Sequence, residues 1–406
     1  MTACADKEEP HTHIFGDWRV SVAPTHDEPG EEVRVCNSCH ERETREIPKV
    51  EHTFSEVWDY NPTQHWHSCS CGAADAPEDH DFDKSGHCRI CGADRALLHY
   101  TKSGTSVTFG SYPKTAVTDG DLIERLNETA GELPVPDASG AWMLGSIEEN
   151  GDTALWQQDL TLDGNVYRAV YFTSYRPMAT DLPANADCSQ QDDNGYAVGT
   201  VYWFRFEPIT WHILREENGY ALLLADFLLD ALPYQGVYKS AGTKTVNGTT
   251  MTLYHTTSHG APAGTDANTY AYSTVRAYLL YTFLTTAFSE EEISVIAPAD
   301  LTEPLSQVSE EGDPVFLLSS EEVAAYLQTR ESLLHTVTDY TACRGAVSLR
   351  VEPYNGCGAW WLRSPAGGDT ANVRIVSAGG ATGTSAYSFA RNTSVGVAPA
   401  LWIRLA

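Results

Sequence analysis

The cysteine and histidine residues of this 406-residue chain are concentrated near its amino terminus. Seven of the ten cysteines and ten of the fourteen histidines precede residue 100, in a stretch with few aliphatic side chains. Thiolates and imidazoles are ligands that zinc prefers, and a short segment poor in core residues can fold around bound metal. The sequence therefore predicts a metal-stapled region over residues 1–96 and a globular domain over residues 97–406.

Three close cysteine pairs mark the first region: Cys36 with Cys39, Cys69 with Cys71, and Cys88 with Cys91. Each pair can give two thiolates to one tetrahedral ion, and histidines flank every pair. We predict structural zinc, because a catalytic zinc needs an open position and the sequence has no H-E-x-x-H motif. The predicted ligands are His13, His26, Cys36, Cys39, His52, His65, His67, Cys69, Cys71, His80, Cys88 and Cys91.

A disulfide scaffold is the alternative for this region. It leaves the histidines without a role, and seven cysteines is an odd number. The spacing also leaves open which ligand belongs to which ion.

Downstream of residue 97, short strands and short helices follow each other without regular β-α alternation, which favours the α+β class. A hairpin is predicted from segments 211–214 and 220–225, joined across Glu217-Asn218-Gly219. Further predictions are strands at 106–110, 166–173, 201–206 and 315–318, helices at 121–128, 274–284, 289–296 and 320–329, and an irregular chain from 350 to 401.

The formal net charge is −29. An acidic surface repels phosphate backbones, so we expect no nucleic-acid partner. The sequence contains no apolar stretch of about 18 residues, so no membrane-spanning helix is expected.

The first residues, Met1-Thr2-Ala3-Cys4, resemble the end of a bacterial lipoprotein signal, in which a small residue precedes the lipidated cysteine. The resemblance implies membrane attachment through Cys4 and a cell-surface or extracellular location. The alternative is a polar terminus with a chance cysteine.

The first region also resembles a repeat of gut-bacterial surface proteins that runs His-x-Phe, Cys, C-x-x-C, Pro and His. Here the pattern begins at His13-Ile14-Phe15 and ends at His52-Thr53-Phe54. His26 stands where the repeat has cysteine, and since histidine also binds zinc, it is a plausible replacement ligand.

From Val107 onward, sequence blocks resemble a family of uncharacterised bacterial surface domains. They include 107–113, 171–177, 191–196, 361–365 and 396–402. The family has Arg where this chain has Ala398. It is similar to C-type-lectin-like domains, the broad fold of the formylglycine-generating enzyme and of the variable proteins of diversity-generating retroelements. The resemblance implies that fold, with long irregular loops over a small twisted sheet.

Such a retroelement randomises adenines in a template copy of the end of the gene, and this never yields Lys, Glu, Gln, Met or Trp at a diversified asparagine codon. Residues 366–399 contain none of these five amino acids, although a Gly/Ser-rich static loop would avoid them too. The resemblance implies a variable binding segment over about 366–396 and an unknown protein or carbohydrate target. The implied contact residues are Asp369, Arg374, Ile375, Ser377, Ala386, Tyr387, Phe389, Arg391 and Asn392.

Enzymatic alternatives are weaker. Cys343 and Cys357 lie near the place of the paired cysteines of the formylglycine-generating enzyme, but fourteen positions apart. A non-enzymatic binding protein is therefore our prediction, with an oxidase of that type or a structural cell-wall protein as alternatives. Residues Asp192-Asp193-Asn194 are either a calcium site or, the preferred interpretation, a solvated acidic turn.

Overall fold

The computed structural model describes residues 12–61, 63–83, 87–93, 100–133, 143–144, 155–178, 185–246, 249–383 and 386–405. The chain separates into two compact units, Met1–Arg95 and Ala96–Ala406. Within the described residues, no helix is both long and apolar enough to cross a membrane.

The first unit contains two three-stranded antiparallel sheets, β1-β2-β3 and β4-β5-β6. Their strands are β1 (Arg19–Val22), β2 (Gly30–Val35), β3 (Arg42–Ile47), β4 (Phe54–Tyr60), β5 (Gln64–Cys69) and β6 (Glu78–Asp79). Most strand side chains are exposed. The buried side chains in the described part of this unit are Cys36, Cys69, Cys88, Ala93 and His65. Such a set is too small to act as a hydrophobic core, so other interactions must stabilise the unit.

A nine-stranded sheet dominates the second unit, with the order β19-β28-β13-β12-β11-β10-β9, while β8 pairs with both β12 and β7. The strands are β7 (Thr101–Ser103), β8 (Ser106–Ala116), β9 (Met143–Leu144), β10 (Leu155–Leu162), β11 (Asn165–Phe172), β12 (Tyr202–Glu217), β13 (Tyr220–Ala225), β19 (Ile296–Ala297) and β28 (Ala400–Arg404).

A five-stranded sheet of order β15-β27-β24-β25-β26 carries the carboxy-terminal segment. Its strands are β15 (Asp230–Ala231), β24 (Trp360–Pro365), β25 (Asn372–Val376), β26 (Tyr387–Phe389) and β27 (Gly396–Val397). Three smaller sheets contain β14 (Phe227–Leu228), β22 (His335–Val337) and β23 (Cys357–Gly358); β16 (Lys239–Val246), β17 (Thr249–Thr256) and β18 (Thr265–Asp266); and β20 (Ala299–Asp300) with β21 (Gln307–Val308).

The helices are short: α1 (Gly120–Ala130), α2 (Gln190–Asp193), α3 (Thr274–Ala277), α4 (Leu284–Ala287), α5 (Glu290–Ile293), α6 (Ser320–Tyr326), α7 (Arg330–Leu333) and α8 (Asp339–Cys343). A π-helical segment, Tyr278–Phe283, joins α3 to α4. Side-chain caps begin several of them. Asp119 caps α1, and Ser289 and Ser319 form capping boxes with Glu292 and Glu322.

The core lies on both faces of the large sheet. Along β13, Leu223 faces one buried cluster, which also contains Trp211 and Ile403, while Leu222 faces a second cluster that contains Trp402. The continuous apolar run of this strand reflects burial on both sides. The mixture of strands and short helices confirms the α+β class.

Several predicted elements need correction. Segment 315–318 is not a strand; Phe316 forms a single bridge with Ala400. The predicted helix 289–296 ends at Ile293, since Ile296 pairs with Ile403 in the sheet. The chain after residue 350 is less irregular than expected, because β23 to β27 lie within it. Strand pairing with distant parts of the chain therefore gives this segment regular structure in spite of its Gly-rich composition.

Candidate metal centres and binding surface

Three groups of side chains in the first unit could each hold a metal ion. They are His13, Cys36 and Cys39; His26, His52, Cys69 and Cys71; and His65, His80, Cys88 and Cys91. The candidate ligand atoms of each group all lie within 4.8 Å of one another. The fold therefore brings together eleven of the twelve predicted ligands.

Distances between ligand atoms fit tetrahedral coordination. With bonds of about 2.05 Å to nitrogen and about 2.3 Å to sulfur, a tetrahedral ion separates two nitrogens by about 3.3 Å and nitrogen from sulfur by about 3.6 Å. The Nδ1 atoms of His65 and His80 are 3.3 Å apart, and Cys91 Sγ lies 3.5 Å from His80 Nδ1. Cys71 Sγ lies 3.3 Å from His52 Nδ1, and Cys39 Sγ lies 3.3 Å from His13 Nδ1.

Three of the histidines are also oriented by a second contact. His80 Nε2 lies 2.9 Å from the Asn61 carbonyl oxygen, and His26 Nδ1 lies 3.1 Å from that of Val50. His13 Nε2 lies 2.9 Å from a Glu41 carboxylate oxygen. Metal-binding histidines usually donate their other ring N–H in this way, which fixes the tautomer and turns the free nitrogen to the ion.

One local motif builds all three groups. In each, the phenylalanine of a His-x-Phe sequence pairs across an antiparallel bridge with the first cysteine of the pair: Phe15 with Cys36, Phe54 with Cys69, and Phe82 with Cys88. Each phenylalanine ring also lies against the histidine two residues before it, with centroids 5.0–5.7 Å apart. In each of the three groups, this register therefore places the histidine next to the cysteine pair.

In two of the groups, one cysteine thiol has a lowered pKa. The backbone N–H of Cys71, followed by the His52 ring, lowers the pKa of Cys69 to about 6. Burial opposes ionisation of Cys88, but hydrogen bonds from the backbone N–H of Cys91 and from His80 bring its pKa to about 6 as well. Since the thiolate is the metal-binding form, both cysteines are prepared as ligands.

His67 is the predicted ligand that the fold does not bring into a group. Its ring packs on Trp58, with centroids 3.7 Å apart, and its Nδ1 lies 3.4 Å from the Val57 carbonyl oxygen. His65, two residues earlier on the same face of β5, is fully buried and faces His80, so the position along the strand separates the two histidines.

Three histidines join a cysteine pair other than the one that they flank in sequence. His26 and His52 flank the first cysteine pair in sequence, yet they join the second pair, Cys69 and Cys71. His65 flanks the second pair and joins the third. Cys4, the proposed lipidation site, lies outside the described residues.

The hairpin β25–β26 carries the most exposed part of the predicted binding segment. Arg374 lies directly opposite Tyr387, and Phe389 lies two residues further along the same strand face. Tyr387 is 47% exposed and Phe389 is 54% exposed. The guanidinium of Arg374 donates one hydrogen bond to the Gly383 carbonyl, 2.8 Å away. Tyr387 and Phe389 thus lie on one strand face, as their spacing of two residues in the sequence predicts.

The opposite face of this hairpin holds it in place. Val373 is fully buried, and Ile375, a predicted contact residue, packs against the same core cluster. Ala386, another predicted contact residue, is also buried. These two positions therefore support the hairpin rather than face solvent.

The remaining predicted contact residues are partly buried, and each forms a hydrogen bond within the protein. Ser377 Oγ accepts a hydrogen bond from the Ala381 backbone, and Asp369 Oδ1 accepts one from the Ala371 backbone. Asn392 donates to Ser388 Oγ. The Arg391 guanidinium lies 4.1 Å from the centre of the Tyr238 ring and donates to the Tyr238 carbonyl oxygen.

Cys343 and Cys357 are both free and buried. Burial raises the pKa of each thiol, which is the opposite of what a reactive thiolate needs. The acidic turn is also used structurally, since Asp192 accepts a hydrogen bond from Tyr175. Asn194 donates to the carbonyl oxygens of Ala342 in helix α8 and of Ala346 beyond the helix.

Comparison with known proteins adds one match. Residues 218–405 match a family described as a domain of unknown function, DUF6273. This stretch runs from the β12–β13 turn through β28 and includes the β25–β26 hairpin. No curated protein and no solved structure matches the chain.

Proposed function

We propose that this protein is a non-enzymatic cell-surface binding protein whose segment 366–396 recognises a protein or carbohydrate target. The β25–β26 hairpin carries this proposal. It presents Arg374, Tyr387 and Phe389 to solvent on one face and packs Val373 into the core on the other. Exposed aromatic and arginine side chains on a rigid backbone are the groups that dominate binding energy at protein interfaces.

We further propose that the second unit has a C-type-lectin-like fold and that a retroelement diversifies the segment. Two observations support this. The segment lacks the five amino acids that adenine randomisation of asparagine codons never yields. It is also framed by tryptophans whose ring N–H groups are all bonded: Trp360 to Leu333, Trp361 to Leu232 and Trp402 to Ser306. A frame held in this way tolerates changes in the side chains between its parts.

The genome provides the test of diversification. A near-copy of the 3′ end of the gene should lie beside a reverse-transcriptase gene and differ from it only at adenines. If the complete genome contains no such copy, the diversification proposal fails, while the binding proposal stands.

Binding itself can be tested with a glycan array and a panel of bacterial and host surface proteins. We expect at least one specific target for the wild-type chain and its loss in the double variant Tyr387→Ala, Phe389→Ala. The control is Tyr281→Ala, which removes an aromatic ring that is 75% exposed elsewhere in the same unit. A target that binds the double variant as well as wild type would contradict the role of the hairpin.

For the first unit we propose structural zinc in the three Cys/His groups. Mixed thiolate and imidazole sets with tetrahedral spacing are typical of zinc, and zinc would supply folding energy to a unit that has almost no hydrophobic core. Elemental analysis of the purified chain should find tightly bound zinc. Metal-free protein in which this unit retains its fold under reducing conditions would overturn the proposal.

An oxidase of the formylglycine-generating type is the competing activity. It requires reactive thiols, whereas Cys343 and Cys357 are buried with raised pKa values. A copper-dependent thiol-oxidation assay distinguishes the two functions. Turnover that disappears in Cys343→Ser would replace the binding proposal.

A further inference from the structure

The second unit contains an open cavity of about 970 Å³. Most of its lining comes from segments 266–271, 299–304, 311–313 and 363–370. The last segment lies at the start of the proposed binding region, but the cavity is lined by neither Tyr387 nor Phe389. Volume at the upper end of the usual range for ligand pockets suits a large or extended ligand.

The two arginines of the lining are already neutralised. Arg276 forms a two-bond ion pair with Asp313, at 2.6 and 2.7 Å. Arg363 is buried and pairs with Glu322, which is also fully buried. Neither guanidinium therefore provides free positive charge to the cavity.

Five carboxylates of the lining lack such a partner: Asp300, Glu303, Glu311, Glu321 and Asp369. Within the described residues, none of them forms an ion pair. Asp266, a sixth, lies 3.6 Å from His255. The cavity consequently has a strong local excess of negative charge.

Apolar groups lie between these carboxylates. The lining includes Tyr270, Leu301, Pro304, Pro365 and Ala366. Lysine and arginine combine an apolar stem with a cationic head, so their stems can pack on such walls while their heads meet the carboxylates.

A divalent metal ion fits this cavity less well. An ion requires several oxygens converging on one point. In the described part of the chain, the groups of three or more potential ligands that converge are the three in the first unit. Among the described residues, the carboxylates that line the cavity form no such group.

We propose that this cavity binds a basic polypeptide segment through its lysine or arginine side chains. The inference does not depend on the β25–β26 surface, and of the carboxylates in the lining only Asp369 belongs to the proposed binding segment 366–396. The charge and the size of the cavity both fit an extended chain with several cationic side chains.

The test uses the full chain and fluorescence anisotropy. The probe is a fluorescein-labelled peptide of alternating arginine and alanine, and the matched probe replaces each arginine with citrulline, which keeps the shape and removes the charge. We expect the arginine peptide to bind at least about tenfold more tightly than the citrulline peptide.

The net charge of −29 attracts any polycation, so a variant must separate the cavity from the general field. The cavity variant is Glu303→Gln with Glu311→Gln. The control is Glu128→Gln with Glu310→Gln, which removes the same charge from exposed positions outside the lining. Glu310 is the chain neighbour of Glu311, which makes the control close in position as well as in charge.

We expect about tenfold weaker binding in the cavity variant and less than about twofold weakening in the control. Equal weakening in both would show attraction by overall charge and overturn the proposal, as would equal affinity for the citrulline peptide. The Tyr387→Ala, Phe389→Ala variant should retain arginine-peptide binding, so failure of either proposal is distinguishable from failure of the other. Unchanged melting temperatures confirm that the variants are folded.

Discussion

The imidazole rings of His26 and His52 stack, with centroids 4.7 Å apart and planes within 11° of parallel. His26 lies in the loop between β1 and β2, whereas His52 lies two residues before the start of β4. Both rings lie beside Cys69 and Cys71 at the end of the second hairpin. One ion held by these four residues would therefore connect the first small sheet to the second. His65 and His80 connect the second sheet to the last cysteine pair in the same way.

Strand β5 offers a sharp test of the ligand assignment. His65→Ala should reduce the metal content by one ion, because His65 belongs to a ligand group. His67→Ala should leave it unchanged, since His67 packs on Trp58 instead. Native mass spectrometry of the full chain counts the ions. An equal loss of metal from both variants would contradict the assignment.

The adjacent residues Glu321 and Glu322 should differ greatly in their effect on stability. Glu322 is fully buried, pairs with Arg363 and accepts hydrogen bonds from the Ser306 and Ser319 backbones. Glu322→Gln leaves a buried arginine without its counter-charge and should lower the free energy of unfolding by about 3–5 kcal/mol. Exposed Glu321→Gln should change it by less than about 0.5 kcal/mol. Urea unfolding of both variants measures the difference.

His335 should make the second unit less stable in mild acid. Burial lowers its pKa from 6.5 to about 4, so below pH 6.5 the unfolded state binds a proton that the folded state does not. The contribution of the neutral ring is complete above pH 6.5 and is lost as pH falls toward 4. From pH 7 to pH 4.5 the loss is roughly 2 kcal/mol.

The variant His335→Gln should lack this part of the pH dependence, whereas His255→Gln, at a partly exposed position, should retain it. Urea unfolding at both pH values provides the free energies. A pH dependence in His335→Gln as steep as that of wild type would refute the role of this ring.

The two faces of the β25–β26 hairpin should respond differently to substitution. Alanine at Arg374, Tyr387 or Phe389 should change the free energy of unfolding by about 0.5 kcal/mol or less, since Tyr387 and Phe389 are exposed and Arg374 is only half-buried. Alanine at Val373 should cost about 2 kcal/mol, because it leaves a cavity in the core. Thermal melts of the four single variants compare the losses of stability at the two faces. Comparable losses at both faces would exclude a displayed surface.

Short-range features were the most predictable. The caps Asp119, Ser289 and Ser319 and the turn at Asn218-Gly219 depend on residues within a few positions of each other, and the turn lies inside the predicted hairpin connection. The helix end at Ile293 and the single bridge at Phe316 were not predictable in this way. Both result from pairing with β28, more than eighty positions away in sequence.

The sequence by itself determined the types of ligand, the α+β class and the alternation of Tyr387 with Phe389, because composition and local periodicity express these directly. Only the tertiary structure decided how His26 and His52 join Cys69 and Cys71, why His65 rather than His67 faces its group, and which carboxylates surround the cavity. These arrangements depend on strand register and on loops that meet across the fold. Spacing along the chain does not encode such distances, since one slipped residue in a strand reverses the face of every side chain.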